Sequence, residues 1–380
     1  MRLINLQQPR RIVFGDGALQ QAAEIVDLGI RRVLLVTSTP IVALARPLVE
    51  ALEGRGASVT VYNSVDTEPS ISIFEAVFEV ARSADPDAVV GIGGGSPLDV
   101  AKLVAALHGS GQGIRDVFGI GHVKGRRAHL VCLPTTAGTG SEVSPNAVFL
   151  DEADQLKKGV VSPYLVPDAA YVDPLLTHSM PATVTAASGV DAMVHCIEAF
   201  ANKFAHPTVD LYALEGIRLI SAHVARAVKQ PDDAEAREKM ALGALYGGLC
   251  LGPVNTAAVH ALAYPLGGEF KISHGISNSL LLRHVIEFNL PAAFGRYAEV
   301  ARTMGIEDRG SEEKVARLGQ ERMVELCEDC DLPSRMSQVG VPEEAVSRMA
   351  KAAMTVTRLL KNNPRVVTEE DADRIYRAAL

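Results

Sequence analysis

The chain has 380 residues, 48% apolar and 22% charged, which suits one large or two medium folded domains and excludes a disordered or disulfide-stapled chain. With 37 Lys and Arg against 45 Asp and Glu, the net charge of −8 offers no bulk attraction to a phosphate backbone, and nucleic acid is excluded as a partner. Scattered cysteines, no apolar leader in the first ten residues and no apolar run near the ~20 residues of a bilayer span lead us to expect a cytoplasmic protein without a membrane partner.

In the first half, β-branched runs alternate with helical patterns. Val33–Thr37, Ser58–Tyr62, Asp87–Ile92 and His129–Leu133 read as strands, with Pro40–Leu52, Ile71–Arg82 and Pro97–Leu107 as helices between them. Strands that are apolar on both faces, in βαβ order, predict a parallel sheet covered on both sides with ligands at the strands' carboxyl ends. From Pro181 onward apolar residues recur at helical spacing and no strand pattern returns. Ala182–Lys203, Thr208–Ala227, Ala234–Leu251, Ala257–Pro265, Ser277–Asn289, Ala293–Met304 and several segments beyond Ser311 read as helices. The boundary falls near Thr177, giving an α/β domain over 1–177 and a helical domain over 178–380, with a small-molecule cleft expected between them.

The chemistry-bearing residues lie at the strand ends and on the helices. Val89 to Asp99 carries a strand into Gly93-Gly94-Gly95-Ser96 and then a helix with Pro97 in its first turn, so backbone N–H groups can face an anion. Ser96 takes the place of the third glycine of a G-x-G-x-x-G run and no P-loop Lys follows, so a tight strand-to-helix turn is the competing reading. The next strand delivers Thr135-Thr136-Ala137-Gly138-Thr139-Gly140-Ser141-Glu142, alternating hydroxyls and glycines that suit phosphate or ribose oxygens. In the helical half, Asp191 and His195 are four apart and share a helix face among apolar neighbours. A buried carboxylate and imidazole need partners; a divalent metal is one way to satisfy both, and a plain Asp–His pair is the other. His260 and His274 would complete a four-ligand set suited to iron(II) or zinc. Cys327 and Cys330 have C-x-x-C spacing but lack a second pair, and read as helix-end cysteines.

Taken together, these residues resemble the iron-containing (group III) alcohol dehydrogenases, which share a superfamily with glycerol dehydrogenase and dehydroquinate synthase. The match spans nearly the whole chain: Phe14 to Leu19, Gly93 to Lys102, Pro134 to Glu142, Gly189 to Ala192 with His195, His260 to Gly268, His274-Gly275 and Asn363-Pro364-Arg365. The resemblance implies a Rossmann-like α/β dinucleotide-binding domain, an all-α C-terminal domain, and hydride transfer between a nicotinamide cofactor and a small alcohol or aldehyde whose oxygen a metal polarises. It implies Asp191, His195, His260 and His274 as metal ligands. It places Gly94, Gly95, Ser96 and Asp99 at the pyrophosphate, Thr135, Thr136 and Thr139 around the cofactor, and Lys157 near the ribose. NAD and Fe2+ are the expected cofactors, with NADP and Zn2+ as alternatives, and a homo-oligomer is expected.

Two positions depart from the family pattern. Ser38 ends its strand where NAD-preferring relatives often carry an Asp that meets the ribose hydroxyls, so NADPH is expected to be tolerated. Tyr264 stands four residues after His260, where many relatives place a second histidine, and it is either a proton donor or part of the pocket wall. The pocket positions Asn146 and Leu251 suggest a small, partly apolar substrate. The alternative activities are reduction of an unsaturated oxoacid, as in maleylacetate reductase, and a lyase of the dehydroquinate synthase type.

Overall fold

A computed structural model of the chain describes residues 2–380. Its packing divides the chain into two units, Leu6–Ser179 and Met180–Leu380, with the residues up to Asn5 joining the latter.

The first unit carries the strands β1 (Arg11–Phe14), β2 (Arg32–Val36), β3 (Ser58–Tyr62), β4 (Ala88–Gly93), β5 (Gly119–Ile120), β6 (His129–Pro134), β7 (Asn146–Asp151), β8 (Leu156–Val161) and β9 (Ala169–Val172). Its helices are α1 (Ala18–Gln21), α2 (Val42–Gly54), α3 (Ile71–Ala84) and α4 (Gly95–Leu107). The main sheet runs β1-β9-β6-β4-β2-β3 and every pair in it is parallel. Alternation along β2 explains why helices cover both faces. Leu34 and Val36 enter one core with Val89, Leu130 and Cys132, while Val33 and Leu35 enter the other with Val90, Ile92 and Leu133. The chain leaves β2 for β3 on one side and then returns to place β4 on the other, so the sheet order reverses between β2 and β4. In such sheets ligands bind outside the carboxyl ends at that reversal. Here those ends carry Thr37-Ser38 and the glycine run at 93–95.

A second, three-stranded sheet of order β5-β8-β7 was not expected from the sequence. The strand β8 reads Leu-Lys-Lys-Gly-Val-Val, with too little apolar alternation to register. The edge strand β1 and its neighbour β9 are four residues each, too short for periodicity to declare them.

The second unit carries α5 (Ala182–Phe200), α6 (Pro207–Lys229), α7 (Ala234–Leu251), α8 (Ala258–Phe270), α9 (His274–Thr303), α10 (Glu312–Asp329), α11 (Val346–Ala353), α12 (Thr357–Leu360) and α13 (Glu369–Ala379), and no strand among the described residues. The helix α5 is buried on all sides along Gly189–Phe200, the mark of a central helix. The expected stop of α8 at Pro265 does not occur. It runs through Gly267 and Gly268 to end where Lys271 turns left-handed at φ 57. The two helices expected at 277–289 and 293–304 are instead the arms of α9, which bends at Ala293 (φ −150) just after Pro291.

Candidate active site

In the first unit, α4 begins directly after Gly94, and Gly95 lies so close to the second loop that a Cβ there would meet Thr139 Cγ2 at 2.8 Å. The loop after β6 is tied back to the glycines, because the Thr135 N–H donates to Gly93 O at 2.9 Å. Gly94, Gly95, Ser96, Thr136 and Thr139 are half-buried, and Thr135 is buried. These backbone and hydroxyl donors therefore gather at neighbouring strand ends. Asp99 is committed elsewhere: its Oδ2 accepts from the Val148 N–H at 2.9 Å and its Oδ1 from the Ser141 hydroxyl. A carboxylate so held steadies the loop.

Sequence reasoning missed the group behind it. The fully buried Lys102 ammonium donates to Ser141 O at 2.8 Å and to Asn146 O, fastening the hydroxyl-rich loop to β7. Burial pulls the Lys102 amine down, with Asp99 opposing, and pushes the Glu142 carboxyl up to about 7. Lys157, on β8, donates to Glu68 Oε1 at 2.6 Å and keeps two further N–H donors. At the end of β2 the Ser38 side chain makes no capping bond. Its neighbour Thr39 is held by the exposed Asp66.

The second unit builds its site from side chains on buried helices. Asp191 and His195 project from one face of α5, His260 comes from the first turn of α8, and His274 is the first residue of α9. Their ligating atoms all lie within 4.8 Å of one another. One oxygen, Asp191 Oδ1, is 3.8 Å from His195 Nε2, 3.5 Å from His260 Nε2 and 3.6 Å from His274 Nε2. Bonds of about 2.0–2.2 Å in a tetrahedron put ligand atoms about 3.3–3.6 Å apart, so the distances from Asp191 fit a four-coordinate metal and the wider separations of the set would close around it. Burial would raise the Asp191 carboxyl, but His195, His274 and His260 hold it well below the usual carboxylate range, leaving it ionised as a ligand must be. Gly275 is what lets His274 reach the set, because a Cβ there would lie 2.1 Å from Ala187 O.

Two supporting residues were missed. Glu198 accepts from His260 Nδ1 at 2.7 Å and from the N–H groups of Ala257 (3.0 Å) and Val259 (2.6 Å), so it both caps α8 and turns His260 Nε2 toward the cluster. Asn278 Nδ2 donates to Asp191 Oδ1 at 2.6 Å and lies 3.3 Å from the Nε2 atoms of His260 and His274. One donor within reach of three ligand atoms shows that their lone pairs converge. Both residues had a signal: Glu198 extends the 191, 195 face by one turn, and Asn278 follows His274 by four. Tyr264 is buried, its ring centroid 6.5 Å from that of His274, and its Oη accepts from Arg358 Nη2 at 2.7 Å.

A parallel unit with glycine and hydroxyl loops at its sheet reversal, and a helical unit with a buried three-histidine, one-carboxylate cluster, define a metal-dependent, nucleotide-linked oxidoreductase. Residues 9–174 match the model of the iron-containing alcohol dehydrogenases, and residues 185–380 that of the C-terminal part of the same family. The long-chain-alcohol dehydrogenase 1 of Geobacillus thermodenitrificans is 37% identical, covering 97% of this chain and 96% of that protein. The NAD-dependent methanol dehydrogenase of Bacillus methanolicus is 32% identical over 100% of both chains. A crystal structure of a 1,3-propanediol oxidoreductase superposes with a TM-score of 0.96 at 31% identity, over 100% of each chain. The chain belongs to the iron-containing alcohol dehydrogenase family, and the oxoacid reductase and lyase alternatives are not favoured.

Proposed function

We propose that the protein interconverts a small alcohol and its aldehyde with NAD(H) as hydride carrier. The observation that carries this reading is the convergence of Asp191, His195, His260 and His274, backed by Glu198, within a helical unit whose relatives are named for alcohol oxidation. Those four residues would hold one divalent metal, Fe2+ or, in its place, Zn2+, which supplies Lewis-acid polarisation of a carbonyl or hydroxyl oxygen. Glu198 fixes the His260 ring by accepting its Nδ1–H, and Asn278 orients the Asp191 carboxylate.

On the nucleotide side, Gly94, Gly95 and Ser96 open α4 toward the pyrophosphate, and Thr135, Thr136 and Thr139 donate to cofactor oxygens. Lys157 serves the ribose with the donors that Glu68 leaves. Asp99, expected at the pyrophosphate, and the buried Lys102 keep that loop in place. The residue range 1–177 is read as the nucleotide domain and 178–380 as the metal and substrate domain, in a cytoplasmic homo-oligomer. Among the described residues no helix is long and apolar enough to cross a membrane.

The test is a spectrophotometric screen of NADH and NADPH against short alcohols and aldehydes, with metal-stripped protein reloaded with Fe2+ or Zn2+. Turnover that returns with metal and consumes nicotinamide stoichiometrically is expected. Nucleotide oxidation or reduction that is absent with every pair and either metal would overturn the reading.

A further inference from the structure

The sequence leaves the end of β2 without a carboxylate, since Ser38 stands there, but the fold supplies one from the neighbouring strand. Asp66 lies in the loop after β3, and β3 pairs with β2 in parallel register from Arg32↔Ser58 to Val36↔Tyr62. The two strand ends are thus adjacent, and their loops are joined by the Val65 N–H to Thr37 O bond at 3.2 Å. From there Asp66 reaches across: Oδ1 accepts the Thr39 N–H at 2.7 Å and Oδ2 the Thr39 hydroxyl at 2.8 Å. Both oxygens are fixed against the residue that follows Ser38.

Three features make this carboxylate more than a helix cap. It sits beside the β2 end of the sheet reversal, where the nucleotide's ribose is expected in parallel α/β sheets. It is exposed, and each carboxylate oxygen accepts two hydrogen bonds, so one site on each remains after Thr39 is served. Its charge is also uncompensated: its hydrogen-bond partners are the Thr39 N–H and hydroxyl, and no Lys, Arg or His pairs with it among the described residues. A 2′-phosphate needs a cation at this point and would meet an anion.

We propose that Asp66 is the specificity-determining residue for the cofactor: its carboxylate accepts the hydroxyls of an adenosine ribose and repels a 2′-phosphate, so that NADH is selected over NADPH although position 38 is serine. This rests on the nucleotide-linked function proposed above and replaces the tolerance of NADPH that Ser38 alone suggests. The selection is carried by a side chain 28 positions further along the chain, on a different loop from the one where the sequence pattern looks for it.

The experiment is direct titration of the protein with NADH and with NADPH, read by nicotinamide fluorescence, which the absence of tryptophan leaves undisturbed. Wild type is expected to bind NADH at least about tenfold more tightly at low salt, with the gap narrowing severalfold at 0.5 M NaCl as the repulsion is screened. Asp66→Asn keeps the shape and an acceptor for the Thr39 N–H, and should tighten NADPH binding about tenfold while NADH weakens by less than about fivefold. A ratio that Asp66→Asn leaves unchanged overturns the proposal. Equal binding of the two nucleotides by wild type overturns it as well and leaves the proposed function standing, whereas wild type that binds neither nucleotide overturns both. The salt series needs no variant, so a poorly folding Asp66→Asn does not remove the test.

Discussion

The two units solve recognition in opposite ways. In the α/β unit the proposed binding groups are mainly backbone N–H groups and hydroxyls in loops, and the half-buried Asp99 and buried Lys102 shape those loops. In the helical unit the proposed metal-binding groups are charged or ionisable side chains on buried helices, steadied by Glu198 and Asn278. The contrast follows from the ligands. A pyrophosphate spreads its charge over many oxygens and suits an array of N–H dipoles, whereas a metal ion needs a few strong donors at fixed separations. Damage should therefore be local: loop substitutions should cost nucleotide affinity and spare the metal, and helix substitutions the reverse.

The sharpest test of that separation is His260→Ala. It should lower metal content and turnover together by more than the ~100-fold ceiling for outer-shell changes, while nucleotide binding by titration stays within error. Retention of full metal content by elemental analysis would break the assignment of the cluster. Glu198→Gln comes next, because it removes a buried anion that holds His260 and two backbone N–H groups. A loss of about tenfold to 100-fold in metal affinity is expected by chelator competition. An unchanged affinity would mean that Glu198 serves only as a cap of α8.

On the nucleotide side, Gly95→Val drives a side chain into Thr139 and should raise the cofactor dissociation constant about tenfold, near 1.4 kcal/mol, with metal content normal. Loss of metal in this variant would show that the two sites are not separable. A subtler effect belongs to Glu142, whose carboxyl burial has raised from 4.5 to about 7. A raised folded pKa means that folding favours the protonated form, so this group's stabilisation is full below pH ~4.5 and declines as pH rises through about 7. Glu142→Gln cannot ionise. Its stability relative to wild type should grow by about 1 kcal/mol between pH 6 and 8 in thermal melts. Parallel curves would show that Lys102 compensates the charge.

How much of this was legible depended on whether a residue's partner was near in sequence. Asp191 and His195 announced themselves by four-residue spacing on an apolar helix, and the β4 strand with its glycines by a run that no helix would carry. The strand β8, with its lysines and glycine, did not, because it is stabilised by pairing with β7 and β5 more than by its own apolar pattern. Asp66 was invisible for the same reason: its place beside Thr39 follows from β3 lying next to β2, which spacing along the chain does not disclose. Arg358, 94 residues from Tyr264, is a third case. The signals that were missed at Glu198 and Asn278 are of another kind, since both sat at helical spacing from a recognised ligand and needed only that the stripe be followed one turn further.

Tyr264 carries the smallest expected effect, and it tests whether the metal side tolerates a change that leaves all four ligand residues in place. Its phenol is buried and its oxygen accepts from Arg358 Nη2 at 2.7 Å. A hydroxyl used as a proton donor in turnover predicts a loss on the order of 10²-fold or more when it is removed. A wall residue predicts instead that Tyr264→Phe changes turnover by less than about threefold and costs about 1 kcal/mol of stability for the hydrogen bond. The half-buried Arg358 can recover water as its partner, which keeps that cost small. The geometry favours the wall, because the ring lies tilted at 59° beside His274 while the hydroxyl is turned to the guanidinium. Arg358→Met separates the two readings further. If the hydroxyl is a donor held in place by the guanidinium, this variant should lose turnover as Tyr264→Phe does; if the pair is structural, both variants should melt earlier and turn over normally.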